Sequence, residues 1–533
     1  MVTTAQIEAL TDEQTLRDVA MRIIAERDAA LDRAVKAESE LALTLHKLRL
    51  QLAARFGPRI EKLDAKQLAL FHDEIRSAQS IAAAETILVP SHPRSKGGRK
   101  PIPDHLPREE VRHDVPADQR ACPCCHEPRV EIARSEREIV EIVPAQVKVI
   151  CHVRPVYACP SCRGQVVKAP APSLPLGKSY AGASLLSMVA VSKFCDHAPL
   201  YRQEGMLARS GVDLSRSTLC NWLAEGADLI TPLVELMRRE VLRSRVIQTD
   251  DTPIPTLGLL PGRAKEGRLW VYLGDREHRH AVFEYSSSRE GKWPQQWLKE
   301  FKGFLQSDAF AGYAPLHAPE GSVIEVACWA HARRKFHESR ELAPSFCLDV
   351  LNRIAGLYAV EKEARSEDQP DRALTPDQRA ALRREKSKQV LEDLFAFLES
   401  NRDGHLPKSP VRAAIEYVLS RRNAFARYLD DGVLEIDNND CERSLRCVAI
   451  GRKNWLFAGS AFGGERAAKW FTLIASARLA EVEPWVWLTD VLARLAQLRD
   501  QPPSGDQGED ELRALLPAAW LESHPAARLP LAR

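Results

Sequence analysis

Glu442 lies in the stretch EIDNNDCERSLRC, residues 435–447, where acids and asparagines give way to bases. From Arg443 to Lys453 there are four basic residues, Arg443, Arg446, Arg452 and Lys453, and no acid. Asp437 suits the N-cap of a helix and Asp440 its first turn, which would carry Glu442 about one turn inside. One carboxylate beside a basic strip calls for a ligand that satisfies both. The other acids of interest are Asp250 or its neighbour Asp251, in TDDTPIP, and Asp308, in QSDAFAGY. Three such carboxylates brought together can hold two Mg2+ ions, or Mn2+ in their place, about 4 Å apart. One ion would activate water or a 3′ hydroxyl and the other would stabilise the leaving oxygen of a phosphodiester. Oxygen ligands suit these ions, and the ions offset the repulsion among the carboxylates. The bases after Glu442 would then face the phosphate backbone.

A second constellation is built of cysteines. Six of the twelve, at 122, 124, 125, 151, 159 and 162, fall within 41 residues. Cys122/Cys125 and Cys159/Cys162 are both C-x2-C pairs, the spacing at which two thiolates on a tight turn grip one tetrahedral Zn2+. Between them Val147, Val149, Cys151 and Val153 alternate as half-buried strands do. Two knuckles joined by long strands make a zinc ribbon, with Cys124, His126 and Cys151 as less regular substitutes.

The elements that position the acids follow from the period of the apolar residues. From residue 244 it changes from helix to strand, and five strand candidates follow: three close together as a meander, the last running into a helix. This is the ribonuclease H-like order, in which an Asp midway along the first strand lies beside one at the end of the fourth. The 134 residues separating Asp308 from Glu442 exceed what such a core needs, and residues 341–432 read as a helical insertion. All ten Trp lie outside that interval, so a base-handling aromatic there would have to be a Phe or Tyr, or Trp455 nearby. Before the core, PLYRQEGMLARSGVDLSRSTLCNWLAEG has helix-turn-helix spacing, with a turn at Ser210-Gly211 and a cap at Ser215 or Ser217; ordinary helical bundles show the same pattern.

Towards the N-terminus, residues 5–88 read as helix, and Ile24, Leu31, Ala34, Leu41, Leu45, Leu48 and Leu52 fit a heptad seam interrupted by Arg27 and Glu38. A short coiled coil is expected in preference to an intramolecular hairpin. HPRSKGGRKP, residues 92–101, carries Arg94, Lys96, Arg99 and Lys100, which suit phosphate tracking or a minor groove as well as a solvated tether. A net charge of +2 excludes a uniformly basic nucleic-acid binder, so DNA contact would come from local patches. No signal-peptide pattern and no run of about 18 apolar residues occurs, so a soluble cytoplasmic protein without a membrane partner is expected.

TDDTPIP, QSDAFAGY, CWAHARRKF and above all IDNNDCERSLRCVAIGRKNWLFAGS resemble the IS66-family transposases, DDE-type enzymes of bacterial insertion sequences. The resemblance extends to GGRKPIPDHLPRE, the cysteine segment and the C-terminal EPWVWLTDVLARL. It implies Asp250, Asp308 and Glu442 as the catalytic and Mg2+-binding acids, although the family commonly has Glu where Asp251 stands and often Pro where Cys447 stands. His331, three residues after Cys328, would contact DNA or position the leaving group, the alternative being a structural histidine. Arg333 and Arg334 beside it would bind phosphates.

The resulting fold class is a multidomain α/β protein with a ribonuclease H-like catalytic core. Its expected divisions are 1–90 helical and coiled-coil, 91–110 basic linker, 111–172 zinc ribbon, 173–243 helix-turn-helix-like, 244–340 and 433–480 the two parts of the core, 341–432 the insertion, and 481–533 a tail domain. Implied partners are double-stranded DNA, as transposon ends and target, a second copy of the chain or a higher oligomer, and small accessory proteins of the same element. The implied location is the bacterial cytoplasm, at the nucleoid when DNA is bound. Two other functions compete: a non-catalytic DNA-binding regulator derived from a transposase, against which the intact acids stand, and a glycosidase, which leaves the basic strip unexplained.

Overall fold

The computed structural model describes parts of residues 21–44 and 147–168, together with residues 170–529 apart from 178, 261–262, 319–320, 366–373 and 504–506. The described residues between 21 and 44 are helical, with Ile24, Leu31 and Leu41 of the expected seam exposed. By internal contacts residues 79–151 form a unit of their own, of which 147–151 are described; Val147, Val149, Cys151 and Val153, expected as a half-buried strand, are exposed and have no strand pairing. In the larger unit two short strands, β1 (Val156–Tyr157) and β2 (Val167–Lys168), pair antiparallel on either side of the segment containing Cys159 and Cys162. All four expected zinc ligands, Cys122, Cys125, Cys159 and Cys162, lie outside the described residues, as do Arg94, Lys96, Arg99 and Lys100.

Four helices follow: α1 (Ala183–Phe194), α2 (Leu200–Arg209), α3 (Arg216–Leu229) and α4 (Thr231–Leu242). The turn after α2 passes through Gly211, whose φ of +80° is a left-handed conformation that costs glycine nothing. Ser215 caps α3 by accepting the Thr218 amide. Leu219, Trp222 and Leu223 of α3 are buried in the main core, while Arg216, Ser217 and Asn221 remain exposed.

The sheet has five strands: β3 (Val246–Leu260), β4 (Arg263–Leu273), β5 (Ala281–Ser286), β6 (Gly303–Ser307) and β7 (Val323–Ala327). Their order is β5-β4-β3-β6-β7, with the hairpin strands antiparallel and β6 and β7 parallel to β3. Prolines inside a central strand would break a ladder. Pro253 and Pro255 avoid this because β3 pairs with β6 only from Val246 to Gln248 and thereafter has β4 as its sole strand partner. The Ala458 amide reaches Pro255 O and the Leu257 amide reaches Ala458 O, so the odd-numbered residues here turn their backbone groups away from β4 and the two missing donors fall on the open edge.

The opposite edge is β5, whose outward amides need partners. Helix α12 (Ala461–Leu479) supplies them: Thr472 Oγ1 accepts the Phe283 amide at 2.9 Å and Ser476 Oγ accepts that of Ala281 at 3.1 Å. Gly464 and Ala468, at i+4 spacing with these, complete a small-residue stripe; a Cβ on Gly464 would lie 2.4 Å from the Tyr285 ring. Helix α13 (Pro484–Asp500) follows and packs against α1.

After β7 come α6 (Trp329–Glu338), then α7 (Pro344–Arg365), α8 (Pro376–Asn401), α9 (Pro410–Leu419) and α10 (Arg422–Ala426). A short helix, α5 (Lys292–Trp297), precedes β6. Trp329 and Phe336 share a core with Ile354, Leu394 and Phe425, so the helical segment is packed onto the β7 side of the sheet. A buried ion pair joins its two longest helices, Arg383 Nε to Glu361 Oε1 at 2.7 Å. Helix α11 (Asn439–Trp455) then lies over β3 and β4. Its N-cap position is Asn438 where the sequence pointed to Asp437; the Asp437 carboxylate still accepts the Asn439 amide at 3.1 Å, one residue further in.

Candidate active site

The last parallel pair between β3 and β6 is Gln248 with Gln306. Asp250 and Asp308 each stand two residues beyond it, which puts them on the same face as the two glutamines, where the strands part. The glutamines are buried and bonded to each other, Gln248 Nε2 to Gln306 Oε1 at 3.2 Å. They also hold the segment leading into α11. Gln306 Nε2 donates to Glu435 O at 2.7 Å, Gln248 Nε2 to Asp437 O at 3.4 Å, and the Cys441 amide donates to Gln248 Oε1 at 3.3 Å. Glu442 is thereby held above Asp250. From the other side, the helical segment fixes the same approach: Tyr358 donates to Asp437 Oδ2 at 2.9 Å, and Arg365 and Arg379 pair with Glu435 at 2.8 and 3.0 Å.

One ligand atom from each of Asp250, His331 and Glu442 lies within 4.8 Å of the others. Burial first, then the charge of Asp308, pushes the Asp250 carboxyl up to about 8. Glu442 Oε1 is buried without a hydrogen-bond partner and sits 3.6 Å from His331 Nε2, beyond hydrogen-bond reach. Burial lowers the His331 imidazole below its ordinary value, so it is neutral at physiological pH, and Cys328 is wholly buried, accepting the Asn438 amide. A half-buried acid that holds its proton and an orphaned carboxylate oxygen beside it are what a divalent cation would satisfy.

Asp308 stands outside that trio. Its Oδ1 accepts the Phe310 amide at 3.0 Å across Ala309, which has a φ of +58°, and its Oδ2 takes Arg289 Nη2 at 3.1 Å. Tyr417 donates to the Asp308 carbonyl at 2.9 Å. Asp251, on the opposite parity of β3, is 2% exposed and paired with Arg268 at 3.1 Å and Arg289 at 2.9 Å. That pairing separates the two adjacent acids: Asp251 is neutralised by arginines, and Asp250 has none.

The basic residues divide in the same way. Arg334 Nη2 lies 3.6 Å from Glu442 Oε2, Arg443 pairs with Asp440, and Arg333 is half-buried on α6. Arg446 and Lys453 are exposed on α11. Arg452 is committed differently, its Nη1 donating to Thr252 Oγ1 at 2.9 Å and Pro253 O at 2.8 Å, which braces α11 against β3. Sequence reasoning missed the glutamines, Arg268, Arg289 and Tyr417. The glutamines left a trace, since both strands read Gln-x-Asp, in QTD and QSD.

A mixed sheet carrying converging acids beneath a basic helix defines an α/β protein with a site suited to a divalent cation. Residues 178–466 match the family described as Transposase IS66 family, residues 44–111 match Transposase C of IS166 homeodomain, and residues 119–163 match the zinc-finger binding domain of transposase IS66. The chain belongs to the IS66 transposase family. It is similar to the uncharacterized protein y4hP of Sinorhizobium fredii, 32% identical over 515 residues covering 91% of this chain and 89% of that one. It is also similar to y4jD and y4qI of the same organism, 34% identical over 79% of this chain and 81% of that protein, and 31% over 92% and 93%. Among the described residues no helix is long and apolar enough to cross a membrane.

Proposed function

We propose that this protein is a DDE-type transposase that binds the terminal inverted repeats of an insertion sequence, cleaves at the 3′ ends and joins them to target DNA by transesterification. The strand order β5-β4-β3-β6-β7 supports reading the sheet as a ribonuclease H-like core, with residues 341–432 as its insertion. The observation that carries the proposal is the paired placement of Asp250 and Asp308 two residues past the last β3–β6 pair, with the orphaned Glu442 oxygen nearby. Mg2+ or Mn2+, held by Asp250 with Asp308 and by Asp250 with Glu442, would supply the Lewis acidity that activates water or a 3′ hydroxyl and stabilises the leaving oxygen.

The chain's own residues do the rest. Asp250 gives up its proton when a cation binds, and Gln248 and Gln306 keep the strands and α11 in register. Neutral His331 presents a nitrogen beside the reacting phosphate and orients the leaving group. Arg333, Arg334, Arg443, Arg446 and Lys453 hold the flanking backbone, while Arg94, Lys96, Arg99 and Lys100 engage DNA further from the site. Cys122, Cys125, Cys159 and Cys162 hold a structural Zn2+. The exposed Ile24, Leu31 and Leu41 pair with a second copy, as concerted handling of two ends requires. Small accessory proteins of the element are further partners. The test is nicking of DNA carrying the element's own ends, with and without Mg2+; binding without metal-dependent nicking would favour a DNA-binding regulator.

A further inference from the structure

Arg289 was not among the residues that the sequence pointed to, yet its guanidinium sits in a built seat. Its Nε donates to Asp251 Oδ1 at 2.9 Å, its Nη2 donates to Asp308 Oδ2 at 3.1 Å, and its Cζ lies 4.5 Å from the centre of the Phe310 ring. The segments carrying Arg289 and Asp308 are pressed together: a Cβ on Gly291 would lie 2.7 Å from Gly312 Cα, and Gln295 Nε2 donates to Gly312 O at 2.7 Å. Asp251 is buried, with Arg268 as its second partner, whereas the Arg289 side chain is 40% exposed and so is open to the site. A cation held by Asp250 with Asp308 would compete with Arg289 for the Asp308 carboxylate.

We propose that Arg289 is a metal-responsive phosphate-binding residue: it neutralises Asp308 until a divalent cation takes that carboxylate, and its freed Nη2 then binds a DNA phosphate oxygen at the active site. The assignment rests on the DDE reading of Asp308. Asp251 and Phe310 retain the guanidinium during the exchange, so only one hydrogen bond changes partner. Asp251 thus serves as a positioning residue for Arg289. The exchange couples the two ligands. Arg289 opposes cation binding at Asp308 and, once displaced, adds a charged contact for DNA, so part of the DNA affinity appears only when the cation is present.

The experiment uses the full chain as wild type, Arg289→Gln, Arg289→Lys and Asp308→Asn, with Mn2+ titrated alone and a duplex carrying the element's ends titrated in EDTA and in Ca2+. Arg289→Gln should bind Mn2+ about fivefold more tightly at the site that Asp308→Asn removes, the scale of one partly exposed charged contact. It should bind DNA about fivefold more weakly in Ca2+ and equally well in EDTA. Arg289→Lys keeps the charge and should lie between wild type and Arg289→Gln in both measurements. Unchanged or weaker Mn2+ binding by Arg289→Gln would overturn the assignment, as would an equal loss of DNA affinity with and without the cation. If Asp308→Asn leaves Mn2+ binding intact, the metal-site reading itself fails and the role of Arg289 fails with it.

Discussion

Cation binding should expel a proton from Asp250. Burial and the neighbouring Asp308, Glu442 and Asp251 hold that carboxyl up at about 8, against 3.8 for the free side chain. Near pH 7 most metal-free molecules then carry the proton. A divalent cation at Asp250 must displace it, so apparent affinity should fall about tenfold for each pH unit below 8 and level off above it. The sign for stability follows from the same shift. Between 3.8 and about 8 the folded state holds a proton that the unfolded chain has lost, so the metal-free protein loses stability as pH rises through that window. Asp250→Asn should remove the loss and raise metal-free stability at the alkaline end by on the order of a few kcal/mol. Calorimetric Mn2+ titrations near pH 7, in two buffers of different ionisation enthalpy, measure the proton directly, and release of a large fraction of one proton per bound ion is expected. Proton release near zero, or affinity independent of pH between about 6 and 8, would refute the reasoning.

Zinc should copurify at about one ion per chain when chelators are avoided, and Cys159→Ser should release it and unfold the ribbon; metal analysis with circular dichroism checks both. Gln306→Ala should leave Glu435 O without its side-chain donor and Gln248 Nε2 with Asp437 O alone, and cost about 1–3 kcal/mol, read as a lower thermal midpoint together with weaker Mn2+ binding. Arg452→Ala should cost about 1–2 kcal/mol of stability by freeing α11 from β3 while changing DNA affinity less than Arg446→Ala does, measured by unfolding and by salt-dependent DNA binding.

The candidate acids could be picked out of the sequence because each stands out locally, and the structure brings Asp250 and Glu442 together with His331 while Asp308 lies outside that trio. Glu442 stands at the head of a basic run, Asp308 directly follows a short strand, and Asp250 lies within a strand candidate. The strand meander and the capped helix α3 were legible for the same reason, since period and capping are properties of neighbouring residues. What local pattern cannot carry is partnership across the chain. Gln248 and Gln306 are 58 residues apart and read as ordinary polar positions until β6 is set beside β3. Asp250 and Asp251 are interchangeable in sequence and become distinct only when Arg268 and Arg289 close on one of them. Arg452 looked like its exposed neighbours on a basic helix, and only the packing of α11 on β3 turns it inward. The hydroxyl stripe of Thr472 and Ser476 likewise has no meaning before β5 is known to be an edge.

The most direct measurement of the central claim, that Glu442 joins Asp250 and Asp308 in cutting DNA, compares Glu442→Gln with wild type on DNA carrying the element's ends. The substitution keeps shape and helix and removes one charge, so end binding should be retained or rise slightly as a negative charge near phosphate is lost. Cleavage in Mg2+ should fall by at least about a hundredfold, on the scale of losing one preorganised electrostatic contribution. Cleavage near the wild-type rate would contradict the assignment and move the third acid elsewhere.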